Sequence, residues 1–267
     1  MSNGVTSALI RVNRASEHLK QLDIACGAFY KTNPYTIDSK SNIETCERTY
    51  YLVRMDAVPD DPIAAIVGDI LNNVRSALDY VAHELVAVAL KSPGPYTRVQ
   101  FPIAETSEQF DSELTRRIDC LGKEAKDAIR GLKPYKTGNE LLWALHELNR
   151  RDKHRLLLTI GTGYSAHSMP PTQTAQAIGA PSHAMPYLGC IFAELPNIRL
   201  LKAGDELLTI PESEVHENMQ FRFHIALNEV DCLRGKPLME TMYNMIMMTT
   251  DIVIKFSLML GGVIYEE

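Results

Sequence analysis

Ile63-Ala64-Ala65-Ile66-Val67-Gly68-Asp69-Ile70-Leu71-Asn72-Asn73-Val74-Arg75-Ser76-Ala77-Leu78-Asp79-Tyr80-Val81-Ala82-His83-Glu84-Leu85 reads as one long helix that carries its charges in unusual places. Val67, Leu71, Val74, Leu78, Val81 and Leu85 recur at spacings of four and three, which puts them on one core-facing stripe. Asp69, Asn73, Ser76, Tyr80, His83 and Glu84 project roughly opposite. Arg75 and Asp79 do neither. They flank the stripe on one side, four residues apart, as a natural ion pair. Pro59-Asp60-Asp61-Pro62 breaks the chain ahead of this helix, with Pro62 suited to its first turn. Lys91-Ser92-Pro93-Gly94-Pro95 ends it, so the expected span is 63–90.

Working outward, Ala8, Val12, Ala15, Leu19, Leu22, Cys26 and Phe29 form a heptad-like seam. It predicts a helix over 7–30, capped by Thr6 or Ser7 and ended at Asn33-Pro34. Tyr35–Ser39 and Thr45–Asp56 are rich in strand formers, and Lys40–Asn42 suits the turn between them. One or two shorter helices are expected over 107–131, with a break at Gly122, then another from Asn139 to about Lys153. A strand follows at Leu156–Tyr164, and Ser165–Pro186 reads as a surface loop. Strands are expected at Leu188–Leu195, Arg199–Leu201, Glu206–Ile210 and Met219–Asn228, the last with His224 on a solvated face beside Gln220 and Arg222. Leu238–Tyr265 is the most apolar stretch. Glu240, Asn244, Asp251 and Lys255 fall on one narrow stripe of it, as in a helix buried on most of its circumference rather than one facing lipid. Its methionines suit gap-filling in a core.

The order of elements implies an α+β fold, with long amphipathic helices packed on one face of a mostly antiparallel sheet. The 267 residues are read as a single domain with a helical part over about 1–155, a β-rich part over about 156–230 and a buried C-terminal helix over about 234–261. A net charge of −6 argues against broad nucleic-acid binding, though a local basic patch is compatible with it. Cys26, Cys46, Cys120, Cys190 and Cys232 are scattered without a CxxC pair, as in a cytoplasmic protein with reduced thiols. Met1–Thr6 carries no signal-peptide pattern, and no membrane partner is expected.

The second charged stretch is Leu148-Asn149-Arg150-Arg151-Asp152-Lys153-His154-Arg155. On the helix that starts at Asn139, Leu141, Ala144, Leu145 and Leu148 define a core face, and Asp152 lies in the middle of it. An ionised carboxylate there requires a cation, because burying it alone costs several kcal/mol. Arg75 is the leading partner, with Lys153 and Arg155 as local ones. Two readings follow. In one, Arg75 and Asp152 clasp two helices. In the other, a pocket lined by Arg75, Asp79, Asn149, Lys153 and Arg155 binds a small polar or anionic ligand, while Asp152 orients His154 as a general acid or base. That second role requires the helix to end near Asp152, since an unbroken helix turns His154 away.

Metal and cofactor motifs are missing from the sequence. The adjacent pairs Glu17-His18, His83-Glu84, His146-Glu147 and His216-Glu217 diverge by about 100° on a helix and suit a solvated surface better than a shared ion. No GxxxxGK[ST], GxGxxG or GxSxG occurs.

With Gly68–Asp79 and Leu148–Arg155, the chain resembles a family of uncharacterised bacterial proteins whose members carry G-D-x-x-x-N-x-R-S-A-L-D and L-N-x-x-D-K-H-R. Arg14-Ala15-x-x-His18-Leu19 and Phe101-Pro102-Ile103 also fit, while Asn72 and Tyr80 stand where that pattern suggests histidines. The resemblance implies a site and no particular reaction. A looser similarity is to HEPN-type helical domains, whose ribonucleolytic members carry an arginine and a histidine a few residues apart on one helix. It would imply an RNA-cleaving defence protein, with His154 as base and Arg75 or Lys153 on phosphate. Arg75 to His83 and Arg150 to His154, with seven and three intervening residues, both miss the spacing. A non-catalytic interaction protein is the third possibility.

Overall fold

A computed structural model describes residues 3–56, 60–92, 96–154, 160–166, 201–215 and 221–261. The helices are α1 (Asn3–Tyr30), α2 (Asp60–Leu90), α3 (Ser107–Ile118), α4 (Lys123–Arg130), α5 (Glu140–His154) and α6 (Leu238–Met259). The strands are β1 (Tyr35–Asn42), β2 (Glu47–Met55), β3 (Ile160–Ala166), β4 (Glu206–Pro211) and β5 (Phe221–Leu227). The fold is α+β.

The seam of α1 is the one its periodicity sets out: Ala8, Val12, Ala15, Leu22, Cys26 and Phe29 are buried and Leu19 is half-buried. The helix begins at Asn3, a turn before the Thr6/Ser7 cap, and Val5 is buried too. It ends as Asn33 turns left-handed at φ 52°, which an asparagine tolerates well. α1 and α2 run antiparallel. The Gly4 amide donates to Glu84 Oε2 at 2.9 Å, and Arg11 reaches Asn73 and lies 5.9 Å from the Tyr80 ring. The close approach favours a glycine, since a Cβ on Gly4 would stand 2.8 Å from Glu84 Cβ, which a rotamer change cannot move away.

α2 is buried on far more of its surface than one stripe. Ile70, Ala77, Ala82 and Val86 join the predicted core residues, and Asn73, placed on the polar side by projection, is buried. Its amide donates to the Asp69 carbonyl at 2.8 Å. α6 supplies the next layer: Met242, Met245, Val253 and Phe256 are fully buried, while Asn244, Asp251 and Lys255 face out. Met247 and Met259 are exposed, so only part of the methionine set fills the core. Among the described residues no helix is long and apolar enough to cross a membrane.

The described strands form two antiparallel sheets rather than one. β1, β2 and β4 pair in that order, and β3 pairs with β5. Tyr35 stacks on Phe223 at 4.2 Å between ring centroids, and the Tyr30 hydroxyl accepts from the Ile225 amide at 2.9 Å. Aromatic contacts thus join the two sheets, which no strand ladder links among the described residues. The β1–β2 turn lies at 43–46, with Cys46 at φ 53°, and not at Lys40–Asn42. Ser165 and Ala166 belong to β3 instead of opening a loop. The rest of that loop and the expected strand at Leu188–Leu195 lie outside the described residues. His224 is half-buried against the Gly235 carbonyl at 3.1 Å, not solvated, because the chain after β5 folds back over that face.

Candidate functional site

Arg75 and Asp79 form the expected i, i+4 pair, Nη1 to Oδ1 at 2.6 Å, with the guanidinium buried and the carboxylate half-buried. Phe101 lies against it and bonds to both partners. Arg75 Nη2 donates to the Phe101 carbonyl at 3.0 Å, and the Phe101 amide donates to Asp79 Oδ1 at 2.8 Å. Guanidinium, carboxylate and peptide group close a ring in which each satisfies the others. Arg75 keeps only 5% of its surface exposed. Burial pushes its pKa down, and the Asp79 charge and hydrogen bond pull it back up. An arginine remains protonated in such a place. The predicted partner of Asp152 is therefore committed to Asp79 and Phe101, and the Arg75–Asp152 clasp is not formed.

Beside the ring opens a cavity of about 110 Å³. Arg75 from α2, Gln100, Glu113, Arg116 and Arg117 from α3, and His146 from α5 line it, with Phe101 and Ile103 completing the wall. Arg116 and Arg117 stand three and four residues on from Glu113, about one turn along α3, and both pair with it, Arg117 at 3.4 Å. Burial raises the Glu113 pKa, but the two arginines outweigh this and hold it below the usual carboxylate range. Three guanidinium charges against the carboxylates of Glu113 and Asp79 leave the surroundings with a net charge of +1. His146 is pushed down to about 4, first by burial and then by the nearby Arg75 charge, and no hydrogen bond contributes to that shift. At neutral pH it is a neutral ring with one donor and one acceptor nitrogen.

Of the residues singled out by sequence, Arg75 lines this cavity and Asp79 backs it, while Asn149 and Asp152 are not part of its wall. Asp152 is half-buried with its carboxylate against Gly68. A Cβ at position 68 would stand 2.8 Å from Oδ2 and 2.9 Å from Oδ1, so the first motif's glycine makes room for the second motif's aspartate. Asn149 is buried, and its Oδ1 has no hydrogen-bond partner among the described residues. Lys153 and His154 occupy the last turn of α5, but their side chains lie outside the described residues, as does Arg155 altogether. α5 continues through His154, two residues past Asp152. The Asp152–His154 pair itself lies outside the described residues, because the His154 side chain does. Arg151 pairs with buried Glu229 at 2.8 Å and fastens α5 to the turn after β5.

His146 and Glu147 are the residues that sequence reading misplaced. As an adjacent pair they suit a solvated surface, yet Glu147 is 9% exposed and pairs with Arg150, while His146 faces the cavity. His83 and Glu84 are half-buried in the same way, and His216-Glu217 lies outside the described residues. Among the described residues no group of three or more His, Cys, Asp and Glu side chains gathers as metal ligands would. The chain matches no protein-family model, no curated protein and no solved structure.

Proposed function

We propose that the protein binds a small anion in the cavity between α2, α3 and α5. One observation carries this reading: a buried guanidinium, fixed in place by Asp79 and the Phe101 peptide, opens onto a space that Arg116, Arg117 and His146 also line. Two of the five guanidinium N–H groups are used in the ring, so donors remain for a ligand. Such fixed donors need no reorganisation on binding, which is what makes an anion site selective in water. Arg116 and Arg117 would supply the second wall, with Glu113 holding their side chains in place.

The test is a titration with chloride, nitrate, sulfate, phosphate and acetate at constant ionic strength, read by calorimetry and thermal shift. A site of this kind gives saturable binding of at least one oxyanion, weakened about tenfold in Arg117→Ala, as expected for one lost charge-assisted hydrogen bond. Shifts no larger than those of sodium chloride at the same ionic strength would refute it. That outcome would favour the second reading, in which the closed Arg75–Asp79–Phe101 ring serves only to dock residues 101–104 onto α2.

A further inference from the structure

The cavity is lined by acceptors as well as donors. Glu113 faces it with an ionised carboxylate, and each carboxylate oxygen keeps acceptor capacity after pairing with one arginine. His146, neutral at neutral pH, adds an acceptor nitrogen, and the Gln100 amide carries both a donor and an acceptor. An anion with no proton meets Arg75, Arg116 and Arg117 favourably, but it also brings its negative oxygens against the Glu113 carboxylate. An anion that carries its own hydrogen satisfies both kinds of group at once.

We infer that the cavity selects a tetrahedral oxyanion that is still protonated at neutral pH, of the hydrogen phosphate class, over a fully ionised one of the same shape such as sulfate. The arginines hold its charged oxygens while Glu113 or His146 accepts its O–H. The inference rests on the anion-binding reading and sharpens it. The physical basis is the asymmetry of hydrogen bonding: an acceptor left facing an acceptor costs far more than a hydrogen bond gains. Sites built to pair a ligand hydrogen reject the analogue that lacks it for the same reason. The space of about 110 Å³ suits one small oxyanion.

The experiment compares inorganic phosphate with sulfate, and arsenate with selenate, by calorimetry on the full chain at neutral pH and constant ionic strength. The expected result is a preference of about tenfold or more for phosphate and arsenate. In Glu113→Gln, which replaces the carboxylate by a group that both donates and accepts, sulfate should gain and the preference should fall toward unity. Equal affinity for the two members of each pair overturns this inference and leaves anion binding standing. Saturable binding of none of the four overturns the anion-binding reading itself. An unchanged preference in a folded Glu113→Gln overturns the role given to the carboxylate. Should that variant not fold, the arsenate–selenate pair on the wild type decides alone, since the two differ in protonation and hardly in shape.

Discussion

Gly68→Ala is the substitution whose outcome depends most sharply on the geometry between the two motif helices. In an ordinary helix interior, replacing glycine with alanine gains about 1 kcal/mol of helix propensity. Here the added Cβ would stand 2.8 and 2.9 Å from the Asp152 carboxylate oxygens and 3.1 Å from Cγ. Carbon contacts are comfortable from about 3.5 Å. Rotating the carboxylate exchanges one close oxygen for the other, so relief requires a new Asp152 rotamer or a wider gap between α2 and α5. Overpacking of this sort costs roughly 1–3 kcal/mol. The net expectation is a loss of about 1 kcal/mol in the wild-type background. In an Asp152→Ala background the obstruction is gone, and the same change should stabilise by about 1 kcal/mol. The four proteins form a double-mutant cycle with a coupling of about 1–3 kcal/mol, measured from urea midpoints at equal slope. If Gly68→Ala stabilises both backgrounds equally, the contact between the two motifs does not shape α2.

Two further outcomes follow from the ring and the cavity. Asp79→Ala leaves the Arg75 guanidinium buried without its carboxylate. It should destabilise by about 3 kcal/mol in urea, the low end for a broken buried pair, because 31% of the Asp79 side chain reaches solvent. A loss below about 1 kcal/mol would mean that the ring is held by packing alone. His146 is neutral in the folded chain down to about 4, against 6.5 when unfolded. The unfolded state therefore binds the extra proton first as pH falls. The His146 contribution has no effect above 6.5 and costs stability progressively from there down to about 4, on the order of 3 kcal/mol in full. Stability measured by urea denaturation should fall more steeply across that window for the wild type than for His146→Gln, and parallel curves would contradict the burial assigned to the ring.

Much of the fold was legible because the helices obey simple periodicity. The seam of α1, the core stripe of α2 and the polar stripe of α6 each follow from apolar spacing, and Asn139 marks the start of α5 by capping the Leu142 amide at 3.0 Å. The sheets were less legible. Alternation along a strand reports which side is wet only while nothing else covers it. His224 lies on a face that residues after β5 fold back to cover, and nothing in Phe221–Leu227 carries that information.

The site was legible by half for a related reason. Projecting one helix reveals a charge on its flank, and that is how Arg75 and Asp79 stand out. It does not reveal what crosses over the flank. The peptide that buries the pair lies in Phe101-Pro102-Ile103, a stretch the resemblance includes without giving it a role, and the arginines of α3 that open the cavity have no motif of their own. Asp152 went the other way. The sequence offers it a cation from Arg75, Lys153 or Arg155; Arg75 is engaged elsewhere, and on α2 the carboxylate stands against Gly68, a contact that a glycine in a helical run signals only by costing helix propensity. A glycine kept inside a long buried helix is therefore the feature that best marks where the two motifs touch, and Arg75, seven positions on, marks the cavity beside them.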